Sequence, residues 1–394
     1  MVMVTNVPEG YKETKVGLIP NDWQEKRLED VSKLSSGTTP SRKLEERYYS
    51  NGNIYWVKTT DLNNSNIIHT GEKITELALN ETCLKEYSIG TVLVAMYGGF
   101  NQIGRTGLLK IPAAVNQALI AIQPQRETLD SIFIINYLNF RVSYWKSVAI
   151  SSRKDPNITS RNVKEFPIPL PPLSEQRAIA QALSDADAAI AELDLLITKK
   201  RNIKQGAMQE LLAGRKTLPG FIDTWEVKTL REISHSIASG KSNSKSESGL
   251  YPVYGSTGII GYNNNFDYCG EKILVARVGA NAGTTNLVSG YYCVSDNTLI
   301  ISLNQSVDII FTYYKLVNYK LNTLVFGSGQ PLITGAQLKN LLVSIPHISE
   351  QQAIAQVLTG MDAEIEALEQ KRDKYKAIKQ GMMQELLTGR TRLV

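Results

Sequence analysis

Apolar positions recur along this chain at two different periods. Ile179, Leu183, Ala186, Ile190, Leu193 and Ile197 are spaced 4, 3, 4, 3 and 4, and Ile354, Leu358, Met361, Ile365 and Leu368 keep the same spacing. Such heptad seams predict long helices that bury one stripe against another helix. Elsewhere the apolar runs are short and β-rich: LVAMY, ALIAI, ILVAR and TLIIS, set between Gly, Asn and Ser turns. These read as strands. Two amphipathic stretches, Ser131 to Val148 and Asp308 to Leu324, read as shorter helices.

The two seams belong to an internal repeat. Ser174–Arg215 aligns without a gap on Ser349–Arg390, with 24 of 42 positions identical. Duplication is the only account of that match. Each copy, about 40 residues of helix, would be about 60 Å long. Pro-rich FPIPLPPL and SIPHI precede the copies and stop whatever comes before. Ser174 and Ser349 are expected N-caps, Gln352 completes a capping box in the second copy, and Gly214 and Gly389 stand where the helices end. Two such helices in one chain can bury each other's seams, most simply antiparallel about a pseudo-two-fold axis.

Each helix follows a globular segment, and the two segments open alike. Trp23 aligns with Trp225, Leu28 with Leu230, Val31 with Ile233 and Gly37 with Gly240. Further on, Gly90–Leu109 lines up with Glu271–Val288, and Ala113–Ile122 with Tyr292–Ile301. The expected fold is α+β: two similar mixed modules at 1–172 and 217–347, each followed by a long helix, at 173–216 and 348–394.

Composition narrows the function. The 394 residues carry 43 basic and 38 acidic side chains, net +5. The helical repeats hold 12 basic and 13 acidic, leaving 31 and 25 elsewhere, net +6. The excess sits mostly in the modules and suits a polyanion. Cys83, Cys269 and Cys293 show no CxxC spacing, and His69, His235 and His347 are isolated. Reduced thiols and no metal site follow. The opening MVMVTNVPEGYKE lacks the basic and apolar regions of a signal peptide, and no apolar run approaches the roughly 20 residues of a membrane span. A cytoplasmic protein without membrane contact is expected.

Candidate contacts lie in loops mixing Arg or Lys with amides and hydroxyls. The first module offers Ser36, Thr38, Arg42 and Lys43, then Lys58, then Tyr97, Asn101, Gln102 and Arg105, then Ser152, Arg153 and Lys154. The second offers Lys241, then Tyr254, Ser256 and Thr257, then Arg277 and Asn281, then Ser328 and Gln330. Arg and Lys suit guanine edges and phosphates, and Asn and Gln suit adenine. The same residue types also make ordinary turns in any β-rich protein. No catalytic pattern accompanies them: no P-loop, no GxSxG, no HExxH, and none of the [DNS]PP[YF] tetrapeptides of amino-methyltransferases.

PLPPLSEQRAIA with KQGAMQELLAGR, echoed by SIPHISEQQAIA with KQGMMQELLTGR, resembles the type I restriction–modification specificity subunits over nearly the whole chain. PVYGSTGIIGY, ILVARVGANAG, SDNTLII and GSGQPLITGAQL carry the resemblance in the second module, while YGGFNQIGR departs from it in the first. The resemblance implies a non-enzymatic DNA-binding subunit that reads a bipartite double-stranded target, one half-site per module, with the helices as spacer. It implies no cofactor in this chain. S-adenosylmethionine would be bound by partner methyltransferase subunits, usually two, and a restriction and translocation subunit would join them. The duplicated helix ends would then supply two docking surfaces, Gln205, Met208, Leu211 and Leu212 in one and Gln380, Met383, Leu386 and Leu387 in the other. The rival reading is a coiled-coil scaffold whose modules bind protein or glycan.

Overall fold

The computed structural model describes residues 7–393 apart from 150–155, 223, 244–246 and 326–331. The chain forms two compact units, one of residues 1–192 with 372–394, the other of residues 193–371. Each unit contains one module and a portion of both long helices.

In the first unit the main sheet has the order Ser32–Ser36, Leu119–Pro124, Val92–Ala95, Thr106–Leu109 and Ser65–Ile67. Neighbours are antiparallel except the last pair, which is parallel. Strand side chains alternate between faces, and here both faces are covered. Val92, Val94, Ile120 and Ile122 enter one core with Phe133, Tyr137 and Trp145. Leu93, Ala95, Leu119 and Ala121 enter a second core with Val57, Leu62 and Ile67. Double coverage explains why these strands read as continuous apolar runs. A small sheet of Ala114–Val115, Ile54–Val57 and Glu72–Ile74 carries the second layer. The predicted helical stretch is Ser131–Phe140 followed by Val142–Val148.

The second unit repeats the plan. Its main sheet has the order Ser234–Ser239, Thr298–Leu303, Lys272–Ala276 and Thr285–Val288, all antiparallel. Ile273, Val275, Leu299 and Ile301 face one core with Phe311 and Leu316. Leu274 and Ile300 face another with Tyr292 and Val294. Its second sheet joins Gly258–Asn263, Tyr251–Gly255, Tyr291–Val294 and Tyr268–Cys269.

The central helix, Leu173–Leu211, and the distal helix, Ile348–Leu386, have 39 residues each. They run antiparallel within each unit. In the second, Lys200 pairs with Glu364 at 2.6 Å and Lys204 with Asp362, so ascending numbers meet descending ones. In the first, Asp187 meets Lys379 at 2.6 Å and Glu175 meets Arg392 at 2.5 Å. Leu193, Ile197 and Ile365 are buried seam residues, while Ala186, Ile190, Met361 and Leu368 are half-buried. The leading seam positions do something else. Ile179 and Leu183 enter the first module's core, and Ile354 and Leu358 enter the second's.

The repeated helix ends are core pieces. Leu386 and Leu387, at the end of the distal helix and just past it, are buried in the first unit's core, and Met208, Leu211 and Leu212, at the corresponding end of the central helix, in the second's. Each module is therefore closed by the start of the helix that follows it and the end of the other one. This corrects the docking assignment for Met208, Leu211, Leu212, Leu386 and Leu387. They are 0 to 6% exposed and have no surface to offer a partner. Met383 is half-buried against the first core; Gln205 and Gln380 stay exposed. Gly214 and Gly389 end the helices at φ +67° and +72°, the first against Trp225 and the second against Pro20 and Trp23.

The helix starts also differ from expectation. Ser174 and Ser349 lie inside the first turn, because the carbonyls of Pro172 and His347 already accept the first helical N–H bonds. The capping box at Gln352 does not form. The two residues after each serine are buried instead. Gln176 receives the Asp130 N–H at 2.9 Å and donates to the carbonyls of Thr128 and Pro171. Gln351 receives the Asp308 N–H at 2.9 Å and donates to the Pro346 carbonyl. Asp130 and Asp308 are themselves N-caps of module helices, so the SEQ tripeptide ties helix starts together.

Candidate nucleic-acid interface

In the second unit, loops at one end of the main sheet converge on Asp296 and Asn297. The Asn297 carbonyl accepts the Arg277 N–H at 2.9 Å and the Ser256 hydroxyl at 2.6 Å. The Gly240 N–H donates to the Thr298 carbonyl at 3.0 Å, and the Ser295 N–H to the Tyr254 carbonyl at 2.8 Å. Lys241, Tyr254, Ser256 and Arg277, distant in sequence, are thereby gathered. Arg277 reaches the Asp296 carbonyl at 3.5 Å through Nη1, while its Nε is buried without a hydrogen-bond partner. Thr257 and Asn281 are exposed at loop tips.

A glycine sets the path of the Arg277 loop. Gly283 has φ +93°, and a Cβ there would lie 2.4 Å from the Asn322 nitrogen. Only glycine fits such a conformation beside another backbone. Its N–H returns to the Ala276 carbonyl at 2.9 Å, closing the loop at the strand end. In the first unit Gly104 does the same with Ala95 at 2.9 Å, packed under Trp145.

The first unit assembles its loops in the same way around Asn116–Ala118. Thr38 donates its N–H to the Val115 carbonyl at 3.1 Å, Met96 donates to Ala118 at 2.8 Å, and Thr39 bonds Gln117. Ser36 ends its strand exposed, Tyr97 and Asn101 are exposed, and Gln102 is half-buried. Arg105 folds back onto the Asn101 carbonyl at 2.9 Å. Arg42 lies 4.1 Å above the Tyr49 ring and pairs with Glu72 at 2.7 Å. Lys58 shares that carboxylate at 2.9 Å. Arg42 and then Lys58 hold the Glu72 carboxyl below its ordinary range. The pair of cations is thus already assembled and half committed to an acid, a placement no spacing in the sequence foretold. Lys43 is exposed beside Arg42.

Ser152, Arg153, Lys154, Ser328 and Gln330 lie outside the described residues. The hub residues Gln117, Asp296 and Asn297 were missed by sequence reading. Their signal was present, since the alignment of Ala113–Ile122 on Tyr292–Ile301 sets Gln117 opposite Asp296. Gln205 lies at a groove of about 510 Å³ walled by Arg201, Lys204, Asp362, Glu366 and Val317. Among the described residues no group of three His, Cys, Asp or Glu could hold a metal, and no helix is long and apolar enough to cross a membrane.

The chain as a whole is similar to known proteins. The family model described as type I restriction modification DNA specificity domain matches residues 20–203 and again 222–377. The chain is 24% identical to the putative type I restriction enzyme MjaX specificity subunit of Methanocaldococcus jannaschii, covering 98% of this chain and 97% of that one. It is 25% identical to the type I restriction enzyme EcoprrI specificity subunit of Escherichia coli, covering 85% of this chain and 86% of that one. The crystal structure of the type I restriction–modification S subunit from M. genitalium superposes with a TM-score of 0.62 at 17% identity, over 92% of this chain and 96% of that one. That likeness speaks to the fold, and it is the α+β plan of paired modules and long helices described above.

Proposed function

This chain belongs to the type I restriction modification DNA specificity family, as a non-catalytic DNA-recognition subunit, and on that premise we propose how its parts divide the work. Each module reads one half of a split double-stranded target through the loops gathered at one end of its main sheet. The two long helices set the gap between half-sites. The observation that carries this reading is the repeated loop hub: Asn116–Ala118 gathers the segments at Thr38–Thr39 and Met96 in one unit, and Ser295–Asn297 gathers those at Gly240–Lys241, Tyr254–Ser256 and Arg277 in the other. Such a set can hold phosphates and read base edges.

Two methyltransferase subunits would dock on the helices and carry the S-adenosylmethionine, and restriction subunits would join the assembly, in the cytoplasm. With the terminal leucines buried, docking falls to exposed helix residues such as Gln205 and Gln380. The Lys204–Asp362 and Lys379–Asp187 ion pairs occupy equivalent places in the two repeats, which supports two like docking sites. The approximate domain limits 1–172, 173–216, 217–347 and 348–394 remain useful for exchange experiments.

The test is co-expression with a cognate methyltransferase and mapping of methylated adenines across a genome. A split motif of fixed gap, absent without this chain, is expected. Exchanging Pro8–Pro171 for a relative's segment should alter one half-site only. A change in both half-sites would refute the division of labour, and no new methylation from an assembled complex would favour the scaffold reading.

A further inference from the structure

The second unit holds a polar cleft that adjoins the loop hub and shares Lys241 with it. It measures about 500 Å³ and is lined by Lys241, Asn243, Tyr262, Asn263, Asn264 and Asn265. The three consecutive asparagines turn the chain between the strands Gly258–Asn263 and Tyr268–Cys269.

Asn263 pairs with Tyr251 in the sheet, and contacts on both sides of the turn hold it in place. The Asn263 side chain donates to the Asn243 carbonyl at 3.3 Å and to Cys293 Sγ at 3.6 Å. The Cys293 thiol donates to the Asn265 carbonyl at 3.1 Å. Phe266 packs against Tyr291 and Tyr251, with ring centroids 4.6 and 5.2 Å away. Asp267 is held by the Ser242 hydroxyl, and its N–H donates to the Tyr292 carbonyl at 3.2 Å. Asn263 is thus spent on structure. Asn264 and Asn265 are exposed, and their amides make no hydrogen bond among the described residues. A turn needs one asparagine for its own geometry. It does not need two more with unused amides on a clamped backbone. Rigid support beneath unpaired polar groups is what recognition requires, because little ordering is left to be done on binding.

We propose that Asn264 and Asn265 read adenine in the half-site bound by this module, with Lys241 holding an adjacent phosphate across the cleft. This rests on the DNA-reading function above. An asparagine amide can donate to adenine N7 while accepting from N6, a pairing no other base offers in the major groove. Lys241 supplies a point charge on a flexible stem, which suits phosphate.

The test uses the full chain assembled with its methyltransferase. Methylated motifs and methylation rates are compared for wild type, Asn264→Asp, Asn265→Asp and Lys241→Ala. Aspartate keeps the acceptor and loses the donor, so it favours cytosine N4 over adenine. At least one Asp variant should relax or shift one base pair of this half-site towards C·G. Its rate on the wild-type site should fall about 5- to 150-fold. The other half-site and the gap should not change. Lys241→Ala should slow all sites alike and reduce the salt slope by about one. The proposal is overturned if both Asp variants keep motif and rate, or lose rate equally on every sequence. A wild-type complex that installs no split motif would instead remove the DNA-reading function itself.

Discussion

Arg392 provides a severe test of how the first module is closed. Its guanidinium binds Asp22 at 3.0 and 2.7 Å and Glu175 at 2.5 and 2.8 Å. Glu175 also accepts the Trp23 indole N–H at 2.9 Å. The Glu175 side chain is 0% exposed and that of Arg392 31%. Replacing Arg392 by alanine leaves a buried carboxylate with one neutral donor. Breaking a fully buried pair costs about 3–5 kcal/mol, and the partial exposure of Arg392 reduces the expectation to about 2–3 kcal/mol. Removing both charges, as Glu175→Gln with Arg392→Leu, should cost under about 1 kcal/mol, because no buried charge is orphaned. Trp23, Trp56 and Trp145 lie in this unit and Trp225 in the other. In a Trp225→Phe background, urea unfolding followed by fluorescence therefore reports the first unit alone. Closure by this ion cluster is refuted if Arg392→Ala costs less than about 0.5 kcal/mol, or if the double variant is as unstable as the single one.

Three further outcomes are expected. Gly283→Ala, forced into φ +93° against the Asn322 backbone, should cost about 1–3 kcal/mol and blur only the half-site read by the second module, as methylome mapping would show. Burial pulls the Lys315 amine down to about 8 from an ordinary 10.5; the unfolded chain binds the extra proton between those values, so the second unit gains stability as pH rises through that window. Relative to a Lys315→Met variant, wild type should gain about 2 kcal/mol between pH 7 and 9.5, read by urea titration at each pH. Matched seven-residue helical insertions after Glu192 and before Arg372 should add about 10 Å to the helix pair and lengthen the methylated gap with both half-sites intact; an unchanged gap would remove the spacer role.

The repeat, both helices and the main strands were legible because each has a period or a composition of its own. ALIAI and TLIIS read as strands, which the structure shows to be buried on both faces, and the Asp308–Leu324 stretch became the helix Ile309–Tyr319 and a following turn. What escaped reading depends on contacts remote in sequence. Leu386 and Leu387 look like any exposed or docking leucine until the fold sets them in the same core as Trp23 and Leu28. Glu175 looks like a first-turn acid suited to the helix dipole, yet its partner is 217 residues away. The loop residues were located by type, but their grouping depends on strand order, which no local pattern encodes.

The closure of the first module by residues 372–393 also fixes an order of biosynthesis. During translation these residues leave the ribosome after the whole of 193–371, so the second unit can be finished while the first still lacks Leu386, Leu387 and Arg392. Until then Trp23, Ile179 and Leu183 have no cover on that side, the condition in which nascent chains associate wrongly or call on chaperones. The module made first is the one completed last.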